Sequence, residues 1–173
     1  MPDPSFWGSG GAIGGKMSKE IARQHLDKYG LGDRIQSFEV SSATVALAAL
    51  ALGCEEARIA KTLSFAMGDG AVLIVAAGDA KIDNRRFREF FGTKAKMLPF
   101  DEVEGLIGHA VGGVCPFGVK DSVPVYLDES LKRFETVFPA AGESNNAIEL
   151  SISELEIASE YTAWINVTKT VQE

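Results

Sequence analysis

The chain has 173 residues, which is enough for one domain with a substantial core, and its 46% hydrophobic and 24% charged residues are typical of a globular protein. Its formal net charge of −7 argues against a broad, non-specific nucleic-acid surface, which is normally basic, but a small local contact with RNA is compatible with it. No apolar run reaches the roughly 18 residues of a membrane span. Two cysteines without metal-ligand spacing are too few for a disulfide scaffold. We therefore expect a cytoplasmic protein that uses no metal, no other cofactor and no membrane contact.

Residues 1–16 differ in composition from the rest of the chain. They are rich in Gly, Pro and Ser, they follow neither helical nor strand periodicity, and they lack the basic and apolar regions of a signal peptide. We predict a flexible leader or an expression-derived extension over 1–16 and a single domain over 17–173.

The predicted elements mix helices and strands that are joined by short connections. In chain order the sequence predicts a helix over 18–29, a strand over 38–40, a helix over 44–52, strands over 58–67 and 71–77, a helix over 84–91, a strand over 94–98, a helix over 100–107, a strand over 123–127, a short helix over 128–134, strands over 136–138 and 147–152, a short helix from 153, and a strand over 164–168. This order indicates one α+β domain, a mixed β-sheet with helices packed outside it.

Helix-capping and turn residues support these element boundaries. Ser18, Thr44, Asp83 and Asp128 are placed where their side chains can cap the first turn of a helix. The triplet at 68–70, Gly-Asp-Gly, predicts a hairpin between the two longest strands.

The loop at 112–118, Gly-Gly-Val-Cys-Pro-Phe-Gly, concentrates three glycines and a proline in seven residues. One interpretation is a tight turn between core elements. The other is a rigid loop that presents backbone N–H groups to a phosphate or an oxyanion, because glycine permits both positive φ and close approach of a ligand.

Lys61 is the anomalous residue of the strand over 58–67. It shares one face with Ile59, Leu63 and Phe65, which are apolar. A lysine on that face loses hydration unless it finds a partner or extends to water. It either prevents the strand from pairing at a sheet edge, or it lies at the rim of a pocket as a cation for a phosphate, carboxylate or carbonyl oxygen.

Five segments, taken in order, resemble one protein family. They are Arg-Ile-Ala-Lys-Thr-Leu-Ser-Phe at 58–65, Gly-Asp-Ala-Lys-Ile-Asp at 78–83, the GxxxP loop within 112–118, Val-Tyr-Leu-Asp-Glu-Ser-Leu at 125–131, and Ala-Gly at 141–142. Together they make the chain similar, over about residues 17 to 160, to the YbaK/ProX family, the prolyl-tRNA-synthetase-associated domain.

The resemblance implies a distorted mixed β-barrel with surrounding helices and the hydrolysis of mischarged aminoacyl-tRNA in trans. Typical substrates are tRNA(Pro) carrying cysteine or alanine. The implied partners are the CCA end and acceptor stem of aminoacyl-tRNA, with prolyl-tRNA synthetase as a further one. The family's lysine corresponds to Lys61, and its loop gives the other predicted catalytic residues, Gly112, Gly113, Val114, Cys115 and Pro116.

An aminoacyl ester is already activated, so its hydrolysis mainly requires a positioned water and a stabilised oxyanion. We expect backbone amides over 112–115 to hold the carbonyl oxygen, Lys61 to hold the terminal adenosine or developing charge, and the substrate's own ribose hydroxyl to assist. The residues predicted to contact substrate are Thr44, His109, Phe117, Asp128, Gly142, Asn145 and Asn146. The family often has Ser-Ala-Gly where this chain has Ala140-Ala141-Gly142, which affects the expected amino-acid specificity.

Two other functions remain open. The domain could bind tRNA or a synthetase without catalysis, or Cys115 could act as a nucleophile that is activated by His109 and Lys61. A basic region could contact acceptor-stem phosphates or simply be a solvated face; it consists of Arg85, Arg86, Arg88, Lys94 and Lys96.

Overall fold

The computed structural model describes residues 10–39 and 44–170, and the side chains from residue 18 onward within those ranges. In the described part, five α-helices surround the sheets. They are α1 (Gly10–Asp27), α2 (Val45–Leu52), α3 (Asn84–Phe91), α4 (Phe100–Ile107) and α5 (Ile152–Ser159). Short 3-10 turns occupy Gly32–Arg34, Glu56–Arg58 and Glu129–Arg133.

Six strands form the main sheet, which curls into a half-barrel. They are β2 (Ile59–Met67), β3 (Gly70–Ala77), β5 (Val125–Asp128), β6 (Thr136–Pro139), β8 (Leu150–Ser151) and β9 (Ala163–Ile165), in the order β8-β6-β2-β3-β5-β9. Two small antiparallel ladders complete the fold, β1 (Ile35–Ser37) with β7 (Asn146–Ile148) and β4 (Ala80–Ile82) with β10 (Thr168–Thr170). The predicted α+β class with a mixed, barrel-like sheet is confirmed.

The β2–β3 hairpin is the centre of the sheet. Its strands pair antiparallel from Met67 opposite Gly70 to Ala60 opposite Ala77, while β6 and β5 pair in parallel with its two outer edges. β3 is buried along nearly its whole length, as its apolar sequence predicts for a central strand. Gly68 turns the chain with φ +60°, a conformation that glycine adopts without strain.

Several predicted caps are confirmed because they depend only on neighbouring residues. The Thr44 hydroxyl accepts from the Leu47 amide, and the Asp83 carboxylate accepts from the amides of Arg85 and Arg86. Asp128 accepts from the Ser130 amide at the start of the Glu129–Arg133 turn.

Ser18 is not a cap, so this prediction was wrong. Helix α1 begins at Gly10, and Ser18 lies inside it as a buried residue. Its hydroxyl instead accepts a hydrogen bond from the Ala110 amide at 2.7 Å. A contact between residues 92 positions apart took the place of the local cap. The assignment of 1–16 as a leader stays a prediction.

Some strand boundaries were also wrong. The predicted strand at 38–40 lies instead at Ile35–Ser37, where β7 supplies the pairing partner, and Val40 is outside the described residues. At 94–98 Met97 alone makes a bridge, to Phe65. The single strand predicted over 164–168 is two strands, β9 and β10, that belong to different sheets.

The predicted strand over 147–152 also divides in two. β7 pairs with β1, β8 pairs with β6, and the chain enters α5 already at Ile152. Ser151, rather than Ser153, caps that helix in a capping box with Glu154. Alternation of apolar residues did not reveal that successive residues pair with different neighbours.

Candidate functional site

A cavity of about 190 Å³ lies where α2, β2, the 112–114 loop and the 140–147 segment meet. Its lining residues are Thr44, Val45, Ala48, Leu52, Ile59, Ala60, Lys61, Thr62, Gly112, Val114, Phe138, Ala140, Glu143, Ser144, Asn146 and Ala147. Helix α2 and strand β2 provide an apolar wall, whereas Lys61 and the loop provide polar groups. The predicted lysine and the predicted loop therefore share one cavity.

Lys61 is half-buried and is held at its ammonium group by the turn between β3 and β4. Its Nζ donates to the Gly78 carbonyl at 3.4 Å and to the Ala80 carbonyl. Burial lowers the pKa of Lys61, and the nearby Asp79 carboxylate opposes that effect. An ammonium has three N–H donors, so two bonds to carbonyls leave one for a ligand.

The turn that holds Lys61 is itself tightly packed. A Cβ on Gly78 would lie 2.1 Å from the Glu56 carbonyl oxygen, so only glycine fits there. Next to it, Asp79 forms an ion pair with Arg133, with N–O distances of 2.6 and 3.0 Å. This pairing lowers the pKa of Asp79 and directs its charge mainly to Arg133 rather than to Lys61.

The first half of the 112–118 loop faces the cavity. Gly112 and Val114 line it, while the Gly113 amide donates to the Ala110 carbonyl at 2.8 Å and so closes a turn. Among the residues that the structure describes, the amides of Gly112 and Val114 make no hydrogen bond. Both N–H groups can therefore serve a ligand.

The second half of the loop belongs to the core. Cys115, Pro116 and Phe117 are buried, and burial raises the pKa of the Cys115 thiol to about 12. Its sulfur lies 3.5 Å from His109 Nε2, but that nitrogen also donates to the Phe117 carbonyl at 2.7 Å. Burial lowers the pKa of His109 as well. This environment favours a neutral thiol beside a neutral imidazole, so it gives no support to a nucleophilic Cys115.

The similarity of this chain to known proteins agrees with the interpretation of the cavity as a ligand site. A family model described as the aminoacyl-tRNA editing domain matches residues 39–157. The chain belongs to this family. The similarity to editing domains predicted from the five segments is thereby confirmed.

Two proteins and one crystal structure show what this editing domain is similar to. It is 52% identical over 154 residues to the uncharacterized protein YwhH of Bacillus subtilis (strain 168), covering 88% of this chain and 98% of that one. It is 23% identical over 120 residues to a proline–tRNA ligase of Caldicellulosiruptor bescii, covering 68% of this chain and 20% of the ligase. A crystal structure described as a candidate trans-editing enzyme for prolyl-tRNA synthetase superposes with a TM-score of 0.78 at 27% identity, covering 88% and 97% of the two chains.

Of the other residues predicted to contact substrate, some line the cavity and others bond only to the surrounding protein. Thr44 and Asn146 line the cavity of the editing domain, although Asn146 uses its amide group to hold the backbone of Ala141 and Glu143. Asn145 donates to the Phe38 carbonyl instead. Their roles toward substrate stay predictions.

Phe117, Asp128 and Gly142 do not line the cavity. Phe117 is fully buried, and Asp128 accepts from Ser130, Val167 and Thr168 in a buried cluster. Gly142 has φ +97°, and a Cβ there would lie 2.4 Å from the Ser18 carbonyl oxygen. These contacts give the three residues a structural part in holding strand, loop and helix α1 together.

Sequence reasoning missed the polar residues Thr62, Glu143 and Ser144 of the cavity. The Thr62 hydroxyl is buried and has no hydrogen-bond partner among the described residues. The signal in the sequence was its position next to Lys61, since both residues line the cavity. A second cavity of about 250 Å³ shares the lining residues Thr62, Gly112 and Val114 with the first, and Leu98 and Val103 also line it.

The described residues hold no group of three or more His, Cys, Asp or Glu side chains that could bind a metal ion. Within the same part of the chain, no helix combines the length and the apolar character that crossing a membrane requires.

Proposed function

We propose that this editing domain hydrolyses the ester of mischarged aminoacyl-tRNA in the 190 Å³ cavity. The observation that carries the proposal is that Lys61 and the Gly112–Val114 turn line the same cavity. Water attacks the ester carbonyl carbon, the carbon–oxygen bond to the terminal ribose breaks, and the products are the free amino acid and tRNA with a restored ribose hydroxyl.

The loop supplies the electrostatic part of this reaction. Negative charge develops on the carbonyl oxygen as water adds, and preorganised N–H donors stabilise that charge more strongly than mobile water does. The amides of Gly112 and Val114 are the donors proposed for this oxygen. Gly113 keeps them in place because its own amide is bonded to Ala110.

Lys61 supplies the cation. Its ammonium is fixed by two backbone carbonyls at the cavity wall, so binding an anionic or strongly polar group there needs little reorganisation. We propose that it binds the phosphate or ribose of the terminal adenosine. His109 is held in the core away from the cavity, so we propose that the substrate assists its own hydrolysis. The hydroxyl adjacent to the ester on its ribose hydrogen-bonds to the attacking water and orients it, and the water's proton passes to the departing ribose oxygen.

The cavity suits a small amino acid. Its wall is formed largely by Val45, Ala48, Leu52 and Ile59, and Ala140 occupies the position where the family often has serine. A small apolar compartment favours alanine or cysteine over larger or charged acyl groups. Because the chain also aligns with a proline–tRNA ligase, we propose tRNA(Pro) as the carrier and prolyl-tRNA synthetase as the source of the mischarged product.

The test is a deacylation assay with tRNA(Pro) charged with alanine, cysteine, serine or proline. We expect release of alanine or cysteine and little release of proline. Lys61→Ala should reduce the rate at least about 100-fold, as loss of an electrostatic contact to the reacting region does. Lys120→Ala, which removes an exposed lysine outside the cavity, should retain the wild-type rate.

Wild-type rates equal to the uncatalysed rate for all four esters would contradict the proposal. Binding of uncharged tRNA without any hydrolysis, unaffected by Lys61→Ala, would instead support a non-catalytic binding domain.

A further inference from the structure

We propose that Lys81 and Lys169, which face each other across the β4–β10 ladder, bind the phosphate backbone of the RNA strand whose 3′ end enters the cavity. This inference rests on the proposed function, and it names a surface that the catalytic cavity does not include. The register places Lys169 directly opposite Lys81, and both side chains are exposed.

Two like charges directly opposite each other destabilise an antiparallel pair. Neither lysine forms an ion pair with any residue in the described part of the chain. In a protein with a net charge of −7, two exposed lysines directly opposite each other form a local concentration of positive charge. An external polyanion would relieve the repulsion between the two lysines.

The ladder is continuous with the cavity. The carbonyl of Ala80, the residue before Lys81, accepts a hydrogen bond from the Lys61 ammonium, and the charge of Lys81 acts to lower the pKa of Lys61. At the other end, the Arg86 guanidinium donates to the Thr168 carbonyl, next to Lys169. The cationic groups therefore extend from the cavity wall along the ladder toward α3.

The carboxylates of this region are mostly engaged elsewhere. Asp79 pairs with Arg133, and Asp83 accepts from two amides at the start of α3. Asp83 is also close to Lys169 and Arg86, which help to lower its pKa. On α3, Glu89 pairs with Arg85, so Arg85 is engaged within its own helix.

A single RNA strand fits this arrangement better than a protein partner does. A strand that places its last nucleotide beside Lys61 must lead its preceding phosphates out of the cavity, and the exposed Lys81 directly follows Ala80, whose carbonyl holds the Lys61 ammonium. Long-range repulsion from the acidic protein makes such a local cationic path necessary for RNA association. Phosphate contacts of this kind are independent of base sequence and depend on salt.

The test measures affinity for an uncharged RNA hairpin that copies an acceptor stem with its CCA end, over a series of salt concentrations. For the double variant Lys81→Ala, Lys169→Ala we expect affinity to fall at least fivefold. We also expect the slope of log affinity against log salt to decrease by about 1 to 2, or somewhat under one unit for each lost phosphate contact. The matched control is Lys28→Ala, Lys120→Ala, which removes the same charge beside a different cavity.

A third variant separates binding from stability. Lys81→Glu places a carboxylate opposite Lys169, so the melting temperature should stay the same or rise while affinity for the hairpin falls. Equal affinity and slope for the Lys81/Lys169 variant and its control would overturn the proposal. It would be overturned equally if a poly-glutamate peptide competed with the hairpin as effectively as RNA does.

A short substrate distinguishes this inference from the proposed function. Hydrolysis of an aminoacyl-adenosine ester, which lacks the preceding phosphates, should be the same in the Lys81/Lys169 variant and the wild type. Failure of the wild type to hydrolyse that ester would count against the proposed function alone, because the hairpin titration measures the surface independently.

Discussion

The two halves of the 112–118 loop belong to one stretch rich in Gly and Pro but have different surroundings. Gly112 and Val114 line the cavity beside Lys61, whereas Cys115 and Phe117 are fully buried. In the first half, two residues whose amides bond to no described residue line the cavity. In the second half, the thiol and the phenyl ring fill the core. The comparison shows that reactive residue types within a motif matter chemically only where the fold leaves them access to a ligand.

Close backbone packing separates the two halves. A Cβ on Gly113 would lie 2.3 Å from the Gly142 carbonyl oxygen, and a Cβ on Gly142 would lie 2.4 Å from the Ser18 carbonyl oxygen. The loop, the 140–147 segment and α1 therefore meet backbone to backbone. This contact fixes which residues of the loop reach the cavity.

The largest effect on activity is expected at Lys61, which lines the cavity together with the first half of the loop. Lys61→Met should reduce deacylation at least about 100-fold, because it removes the cation but keeps most of the length of the side chain. Stability should be nearly unchanged or slightly higher, because burial disfavours the charged ammonium. Single-turnover rates and thermal melts of the same preparations measure the two effects. A loss of activity that simply follows unfolding would contradict this separation.

Gly113→Ala tests the boundary between the halves. The added methyl would meet backbone that cannot rotate away, so we expect a loss of about 2 kcal/mol or more in the free energy of unfolding. Activity should fall as well, since Gly112 and Val114 would shift together. Urea denaturation measures the stability change. Gly105→Ala is the control, because a Cβ there meets no atom within 4 Å in helix α4. Equal stability of the two variants would contradict the packing account.

The charge of Lys61 should also make ligand binding depend on pH. Its pKa lies below the usual 10.5, and the protonated form binds the anionic ligand, so affinity should decrease as pH rises through that lowered value. The contribution of Lys61 to stability has the opposite sign: it increases with pH between the lowered pKa and 10.5, because the unfolded chain holds the proton longer. Calorimetric titration with the 5′-monophosphate of a non-hydrolysable aminoacyl-adenosine amide, which carries the phosphate proposed for Lys61, measures the affinity. An affinity that stays constant from neutral pH through pH 10.5 would contradict a charged Lys61 in binding.

The smallest effect on activity is expected at Cys115, in the buried half. Cys115→Ala should keep the deacylation rate within about threefold and cost about 1 kcal/mol of stability from lost packing. Because burial raises the thiol pKa to about 12, iodoacetamide should label Cys115 only after denaturation. Peptide mass mapping of native and denatured protein measures the labelling. Stoichiometric labelling of the native protein with loss of activity would restore the thiol mechanism.

The sequence by itself determined the features that depend on near neighbours. Thr44 and Asp83 cap their helices, Gly68 turns the central hairpin, and Lys61 interrupts an apolar strand face, because each of these depends on side-chain type and spacing within a few residues. The five segments also sufficed to indicate the family.

The tertiary structure alone decided the features that depend on distant partners. Ser18 bonds to Ala110 instead of capping a helix, and the apolar run at 147–152 divides because β7 and β8 pair with different strands. The division of the loop into a cavity half and a core half also follows from packing against α1 and the 140–147 segment. Local propensity carries no information about such contacts, since their free energy comes from groups that only the folded chain brings together.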